Sequence, residues 1–383
     1  MTKFLFGELV NEVKEKVDRE NNPYDYFIAG DHMDTDELHL LRRGTFANSD
    51  VGPAFIRVFK PGQVLYGSRR TYLRKVAVAD FEGVTANTTF VLETKDEKKL
   101  IQRLLPFIMQ SDRFVQHSIK RSKGSTNPYV LFSDLYDYEV ELPDLNQQKK
   151  LADLLWAIDE LKTSYKKLIF TTDDLVKSQF IERFGKPGTD PFGWGLTTLG
   201  ECCDLNPRRP RDMKTDTDYS FVAMPSVSED GRVDGSIERS YSEVCKGFTY
   251  FAEDDVLFAK ITPCMENGKG GVAKGLKNGA GFGSTEFHVL RPIPGISNPY
   301  WLYIITMFSK FRSDAEKVMT GTGGQRRVPI TYLSEYCIAL PPIDLQEQFA
   351  AYVIQSDKSK FELEHALAEL TATYKRIINE NLG

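Results

Sequence analysis

Two stretches of the chain carry a helical rhythm of apolar positions far longer than any other in it. In the first, Leu151, Leu155, Ile158, Leu161, Tyr165, Leu168, Leu175 and Ile181 keep steps of three, four or their sums. In the second, Leu363, Leu367, Leu370, Tyr374, Ile377 and Asn381 follow a 4-3-4-3-4 rhythm, preceded by Phe349 and Val353. Residues three and four apart share one face of a helix. The pattern predicts two helices of roughly 40 residues, each about 60 Å long at 1.5 Å per residue. A seam of this kind needs an apolar partner, and the nearest is the other helix. An antiparallel intramolecular coiled coil is expected; each helix packing back on its own domain is the alternative.

The remaining apolar residues come in short β-branched and aromatic runs, such as Val76–Ala79, Thr88–Leu92, Tyr219–Ala223 and Glu286–Leu290, separated by Gly, Pro, Asn and Asp clusters. These read as irregular strands and turns. Each half adds one helical segment, near residues 97–119 and 299–318. The halves repeat each other. Phe6-Gly7-Glu8 answers Leu199-Gly200-Glu201, and Phe27-Ile28-Ala29 answers Phe221-Val222-Ala223. The stretch from Phe59 to Tyr66 answers that from Phe251 to Phe258. Leu142-Pro143 answers Leu340-Pro341, each opening a helix with Gln and Ala at matched places (Gln148 and Ala152; Gln346 and Ala350). The period, about 192 to 198 residues, is far too long for a solenoid. The fold class expected is α+β: two repeated mixed domains separated by two long helices. The boundaries are 1–141 and 187–339 for the domains, and 142–186 and 340–383 for the helical spacers.

Composition narrows the function. The 383 residues are 41% apolar, enough to build two cores, and carry a net charge of −5. No apolar run approaches the roughly 18 residues that span a bilayer, and the first residues do not read as a signal peptide. Five cysteines without a CxxC pair indicate neither a zinc site nor a disulfide framework. A reduced, cytoplasmic protein is expected. The charge, however, is segregated. Val51 to Ala79 holds no acid against Arg57, Lys60, Arg69, Arg70, Arg74 and Lys75, and Arg113 to Ser133 holds none against four cations. Basic stretches in an acidic protein point to a localised face for a polyanion.

Catalytic signatures are missing from the sequence. Asn22-Pro23-Tyr24, Asn127-Pro128-Tyr129 and Asn298-Pro299-Tyr300 lack the second proline of an adenine-methyltransferase loop and read as turns. There is no phosphate-binding Gly-x-x-x-x-Gly-Lys-Ser/Thr, and the five histidines lack metal-ligand spacing. What remains are loops suited to nucleic acid. The loop from Thr320 to Arg327 is rich in glycine and ends in Gln325, Arg326 and Arg327, which suit phosphates and base edges. Its counterpart in the first half holds Lys123, Ser125 and Asn127. Arg208, Arg209 and Arg211 lie among prolines, and Arg69, Arg70, Arg74 and Lys75 surround Tyr72. Lys260 and Lys269 sit in a loop-rich stretch.

The sequence resembles the specificity subunits of type I restriction–modification systems over essentially its whole length. The resemblance rests on Leu340-Pro-Pro-Ile-Asp-Leu-Gln-Glu-Gln-Phe-Ala350, Gly283-Ser-Thr-Glu-Phe-His-Val-Leu-Arg-Pro292 and the segment from Phe251 to Ala259. The first copy departs from the pattern, with Asp144 in place of the second proline. The resemblance implies a non-catalytic subunit whose two domains each read half of an interrupted DNA target. The helices would act as spacer and docking platform for two methylation subunits. S-adenosylmethionine, ATP and Mg2+ would belong to those subunits and to restriction subunits. Two other readings stay open: a DNA-modifying enzyme with a disguised site, and a two-domain protein-interaction scaffold.

Overall fold

The repeat in the sequence is a repeat of strands. The computed structural model describes residues 2–49, 51–322 and 324–383. They form two compact units, Met1–Lys167 with Glu364–Gly383, and Leu168–Leu363. Unit 1 contains β1 (Thr2–Leu5), α1 (Phe6–Leu9), β2 (Val10–Val13), β3 (Tyr26–Ile28), β4 (Gly44–Thr45), β5 (Phe55–Phe59) and β6 (Val64–Gly67). It continues with β7 (Val76–Val78), β8 (Gly83–Ala86), β9 (Thr89–Thr94), α2 (Leu105–Gln110), α3 (Asp112–Arg121), β10 (Glu139–Leu142) and the start of α4 (Leu145–Phe184). One sheet runs β2-β9-β6-β7 and the other β4-β3-β8-β5, while β1 pairs with β10. β3 and β8 are parallel neighbours.

Unit 2 repeats the pattern with β11 (Leu196–Thr198), α5 (Leu199–Cys202), β12 (Cys203–Leu205), β13 (Asp218–Val222), β14 (Glu238–Ser240), α6 (Tyr241–Val244) and β15 (Thr249–Ala252). Then come β16 (Val256–Ala259), β17 (Gly270–Val272), β18 (Ala280–Gly283), β19 (Phe287–Pro292), α7 (Pro299–Met307), α8 (Ser309–Lys317), α9 (Ile330–Glu335), β20 (Cys337–Ala339) and α10 (Ile343–Leu382). Its sheets run β12-β19-β16-β17 and β14-β13-β18-β15, and β11 pairs with β20.

The first sheet of each unit is covered on both faces, which explains apolar runs that do not alternate. In unit 1, Val64, Tyr66, Phe90 and Leu92 face the helices, while Leu65 and Val91 face the second sheet through Ile28 and Phe59. In unit 2, Val256, Phe258 and Leu290 join Trp301 and Phe311, whereas Leu257 and Val289 join Val222 and Phe251. The single helical segment expected in each half is broken in two. Ser111 leaves helical geometry and caps α3 by accepting from Phe114 N, and Phe308 separates α7 from α8.

Both long helices form, and both expected packings hold at once. In unit 1, Ala152 and Leu155 of α4 share a core with Tyr374, Ile378 and Leu382 of α10. In unit 2, Val176, Phe180 and Phe184 share one with Phe349 and Val353. The contacts run antiparallel: Lys162 meets Tyr374, Asp173 meets Lys360, and Phe184 meets Phe349. The compact units therefore cut across the helical segments 142–186 and 340–383. The seam also differs from the expected rhythm. The buried row of α10 is Tyr374, Ile378 and Leu382, while Leu161, Leu168, Leu175 and Ile181 of α4 are exposed. Each helix segment packs on a globular core as well as on its partner, so the four-residue row turns inward. No helix among the described residues is long and apolar enough to cross a membrane.

The matched glutamines explain themselves here. Gln148 is buried, donates to Lys99 O (2.8 Å) and Pro143 O (3.0 Å), and accepts from Ile101 N (3.2 Å). Gln346 is likewise buried, donating to Ile296 O (3.0 Å) and Pro341 O (2.9 Å) and accepting from Asn298 N (2.9 Å). Each clamps the first turns of its helix to the segment leading into the shorter helices. Removing the amide leaves three backbone groups, most of them part-buried, without this partner, at up to about 1–3 kcal/mol each before relaxation. Gln148→Leu is expected to lower stability by roughly 2–5 kcal/mol in urea unfolding, and Gln346→Leu by a similar amount. A cost below about 0.5 kcal/mol would show the clamp to be dispensable.

Candidate nucleic-acid interface

In unit 2 the glycine loop is a closed hairpin. Thr320 N donates to Arg327 O at 3.0 Å, and Arg327 N returns the bond at 2.8 Å. Gly321 (φ +128°) and Gly324 (φ +78°) supply the backbone the turn requires; Gly323 lies outside the described residues. Thr262 fixes the loop by donating through Oγ1 to Gly324 O (2.6 Å) and accepting from Arg326 N (3.1 Å). Gln325 is exposed at the tip. The two guanidinium groups are not free. Arg327 makes a forked pair with Glu286, with Nε to Oε2 at 2.9 Å and Nη2 to Oε1 at 2.8 Å. Arg326 lies 3.2 Å from Glu266 and 3.5 Å from Glu316. Glu286 is held well below the usual carboxylate range, first by its hydrogen bonds from Arg327. Arg327 thus ties the loop to the Ser-Thr-Glu-Phe strand, a part the sequence reading did not foresee.

Lys260 is half-buried beside this pair, and burial lowers its pKa. His288 lies near Lys260 and Glu286. Its Nε2 lies 2.8 Å from Val328 O, and its Nδ1 lies 3.2 Å from Asn206 Nδ2. The neutral ring satisfies both by donating from Nε2 and accepting at Nδ1. Asn206 in turn leads into the Arg208–Arg211 stretch, so a chain of polar contacts joins the two basic segments of this unit. Arg208 and Arg211 are exposed. Arg209 is docked instead, donating to Cys245 O at 2.9 Å and lying 5.2 Å from the Tyr241 ring. Lys269 points elsewhere, 3.4 Å from Met224 O.

Unit 1 assembles the corresponding loops. Arg70 N donates to Pro128 O (2.6 Å), and Lys123 and Tyr129 exchange bonds at 2.8 and 2.9 Å. Arg69 bridges to Tyr129. Arg69, Arg70, Ser125 and Asn127 are exposed, alongside Tyr72 and Tyr129 at 52% and 39% exposure. Two guanidinium groups beside two accessible aromatic rings suit phosphates and bases. Lys123 pairs with Asp134 at 2.7 Å. Two members of the expected set make contacts within the chain. Arg74 is committed to Asp36 (2.6 Å), Asp112 (2.8 Å) and Gln110 O (2.6 Å), and Lys75 bonds Gly30 O. By backbone pairing, Tyr129 stands where Arg327 does and Thr88 where Glu286 does, since Val130 N donates to Ser68 O as Val328 N donates to Lys260 O. The Asn-Pro-Tyr tripeptides serve as caps and turns: Asn298 caps α7, and Asn22 Oδ1 accepts from Tyr24 N.

Among the described residues one group has metal-ligand spacing, Glu37, His39 and Asp159. Lys166 (2.6 Å) holds Glu37, and Lys162 (3.2 Å) and His39 (3.0 Å) hold Asp159. Two ammonium groups already neutralise the carboxylates a dication would need.

Residues 14–169 and 191–371 match the family described as type I restriction modification DNA specificity domain. The chain belongs to this family. It is 36% identical over 202 residues to the EcoAI type I restriction enzyme specificity subunit of Escherichia coli, covering 52% of this chain and 34% of that one. It is 42% identical over 159 residues to the EcoEI specificity subunit of Escherichia coli, covering 41% and 26%. The matched stretches span about a third or less of these relatives. Two solved structures share the fold. One, from work on complex assembly and conformational transition of the type I R-M system, has TM-score 0.56 at 19% identity and covers 99% of this chain and 97% of that one. The other, the type I restriction-modification S subunit of M. genitalium, has TM-score 0.55 at 13% identity, covering 100% and 96%.

His288 gives this family member a pH signature. Burial pushes its pKa down to about 4 from 6.5. The unfolded chain binds the proton more tightly, so the stability present above pH 6.5 is lost as pH falls toward 4, by up to about 3 kcal/mol. His288→Gln, which keeps a donor for Val328 O, is expected to flatten this part of the urea-unfolding profile. Parallel profiles for the two proteins between pH 4.5 and 7 would refute the assignment.

Proposed function

We propose that this chain is the DNA sequence-specificity subunit of a type I restriction–modification complex and carries no catalytic site of its own. Each unit reads one half of a bipartite target in double-stranded DNA. The observation that carries this reading is the recurrence of one loop arrangement in both units: a strand-end segment holding cations (Ser68–Arg70; Lys260–Thr262) hydrogen-bonded to a polar loop (Lys123–Tyr129; Thr320–Arg327). Two equivalent loop pairs suit two half-sites. The exposed members, Arg69, Arg70, Ser125, Asn127, Arg208, Arg211 and Gln325, are assigned to DNA. Arg326, Arg327, Lys123 and Lys260 shape the loops and contribute field more than base contacts. Methylation, DNA cleavage and their cofactors, S-adenosylmethionine, ATP and Mg2+, belong to partner subunits in this reading.

The long helices supply the docking surface. Leu154, Leu161, Leu168 and Leu175 recur every seven residues on α4 and are 46–52% exposed. An unsatisfied heptad row is suited to a helix of a methylation subunit. Leu161→Glu with Leu168→Glu, at exposed positions, is expected to leave the unfolding midpoint within about 0.5 kcal/mol of wild type while abolishing co-purification with methylation subunits. Undiminished co-purification would exclude this face.

The bipartite reading is tested by mapping methylated bases in cells carrying the complex as their sole methyltransferase. One motif of two half-sites separated by a fixed gap is expected; an uninterrupted motif overturns the reading. Matched insertions of four residues after Lys167 and after Leu363 lengthen both helices by about 6 Å. At 3.4 Å per base pair, the gap should grow by one or two base pairs with both half-sites unchanged. An active variant with the original gap would show that the helices do not measure it.

A further inference from the structure

The internal repeat allows one unit to be compared with the other, residue by residue, where the helices pack. Asp159 and Lys162 of α4 stand at the register positions of Asp357 and Lys360 of α10, 198 residues on. Both lysines are buried, at 5% exposure. In unit 2 the charge is answered across the helix pair. Both carboxylate oxygens of Asp173 lie 2.9 Å from Lys360 Nζ, and Asp230 lies at 3.6 Å. In unit 1 the position matching Asp173 is Thr371, whose hydroxyl is turned back to Leu367 O at 2.7 Å. Lys162 has Asp159 on its own helix at 3.2 Å and the Tyr374 ring at 4.1 Å. No carboxylate answers it from α10.

A cavity of about 220 Å³ opens at this place, with Thr371 on its wall. Arg74, Lys162, Lys166 and Lys375 line it against a single acid, Asp36. The other carboxylates that pair with these cations, Glu37, Asp112 and Asp159, do not reach the wall. Gln110, only 3% exposed, also lines the cavity. Its Oε1 accepts from Tyr374 OH (2.9 Å), but its Nε2 is buried without any partner. A buried donor left unpaired costs about 1–3 kcal/mol, and cations gathered in one small space repel each other. Both penalties are relieved by an acceptor-only, negatively charged group.

We propose that this cavity in unit 1 binds a small free oxyanion, a phosphate or carboxylate group, which takes the place that the Asp173 carboxylate fills in unit 2. The bound group accepts from Lys162 and the Gln110 amide, with Lys166, Lys375 and Arg74 around it. Because α10 supplies part of the wall, the ligand holds the end of this helix on unit 1. The proposal is independent of DNA reading and can fail without affecting it.

The test uses the full chain, freed of oxyanions and melted in chloride at constant ionic strength. Inorganic phosphate, pyrophosphate and citrate are the titrants. At about one hundred times Kd the melting temperature of unit 1 is expected to rise by about 5–10 °C. A response to the phosphates but not citrate assigns a phosphate group, and the reverse assigns a carboxylate. Thr371→Asp rebuilds the pairing of unit 2, so it should raise the ligand-free melting temperature and lose the response. No response to any titrant, or an equal response in Thr371→Asp, overturns the proposal. If that variant does not fold, Lys375→Ala serves, because this lysine is about half exposed. Its half-saturating concentration should rise roughly tenfold, and an unchanged value would overturn the site.

Discussion

Unit 1 does not close its core with contiguous sequence. The helix-side core of unit 1 is completed by Tyr374, Ile378 and Leu382, more than two hundred residues after the last of its other members. Unit 2 needs Val176, Phe180 and Phe184 from the helix that begins in unit 1. Fully burying one such side chain contributes about 1.5–3 kcal/mol, so three of them on one helix face amount to a large share of a domain's net stability. The docking of each helix end into a globular core is therefore the constraint on which the rest depends. In unit 1 the sheets, the basic loops and the short helices are held in place by a layer that the other end of the chain supplies; in unit 2 that layer comes from the two ends of its own segment.

Polar side chains give that docking its register. The end of α10 is fixed by Asn379, which accepts from Asp112 N at 2.9 Å and donates to its carboxylate at 2.7 Å, and by Tyr374 OH on Gln110. In unit 2 Lys360 is gripped by Asp173 and Asp230, while burial pushes the nearby Asp357 carboxyl up to about 6. An apolar face tolerates slippage by one helical turn, since one leucine replaces another at little cost. A buried lysine does not, because moving it from its carboxylates leaves an uncompensated charge worth several kcal/mol. The sharing of helices between units is thus specified by charge as well as area.

The same reasoning separates the basic residues. A cation with a carboxylate in forked contact, such as Arg327 on Glu286, acts first as a tie between two pieces of backbone. Among the described residues Arg69, Arg70, Arg208 and Arg211 have no such forked carboxylate contact and are exposed. A net charge of −5 therefore does not exclude a local cationic surface.

The sequence by itself determined the duplication, the α+β class, both long helices and the loops that carry the candidate interface. These depend on local quantities: the spacing of apolar residues, glycines at turns, and matched anchors such as Leu142-Pro143 and Leu340-Pro341. The matched Gln148 and Gln346 were visible as a pattern, but their role as buried clamps was not, because their partners lie about fifty residues away. Only the tertiary structure decided that Arg74 and Arg327 are tied, that the buried row of α10 runs through Ile378 and Leu382, and that the leucines of α4 remain exposed. A side chain's partner is set by which distant backbone the fold brings within 3 Å, and no periodicity along the chain encodes that distance.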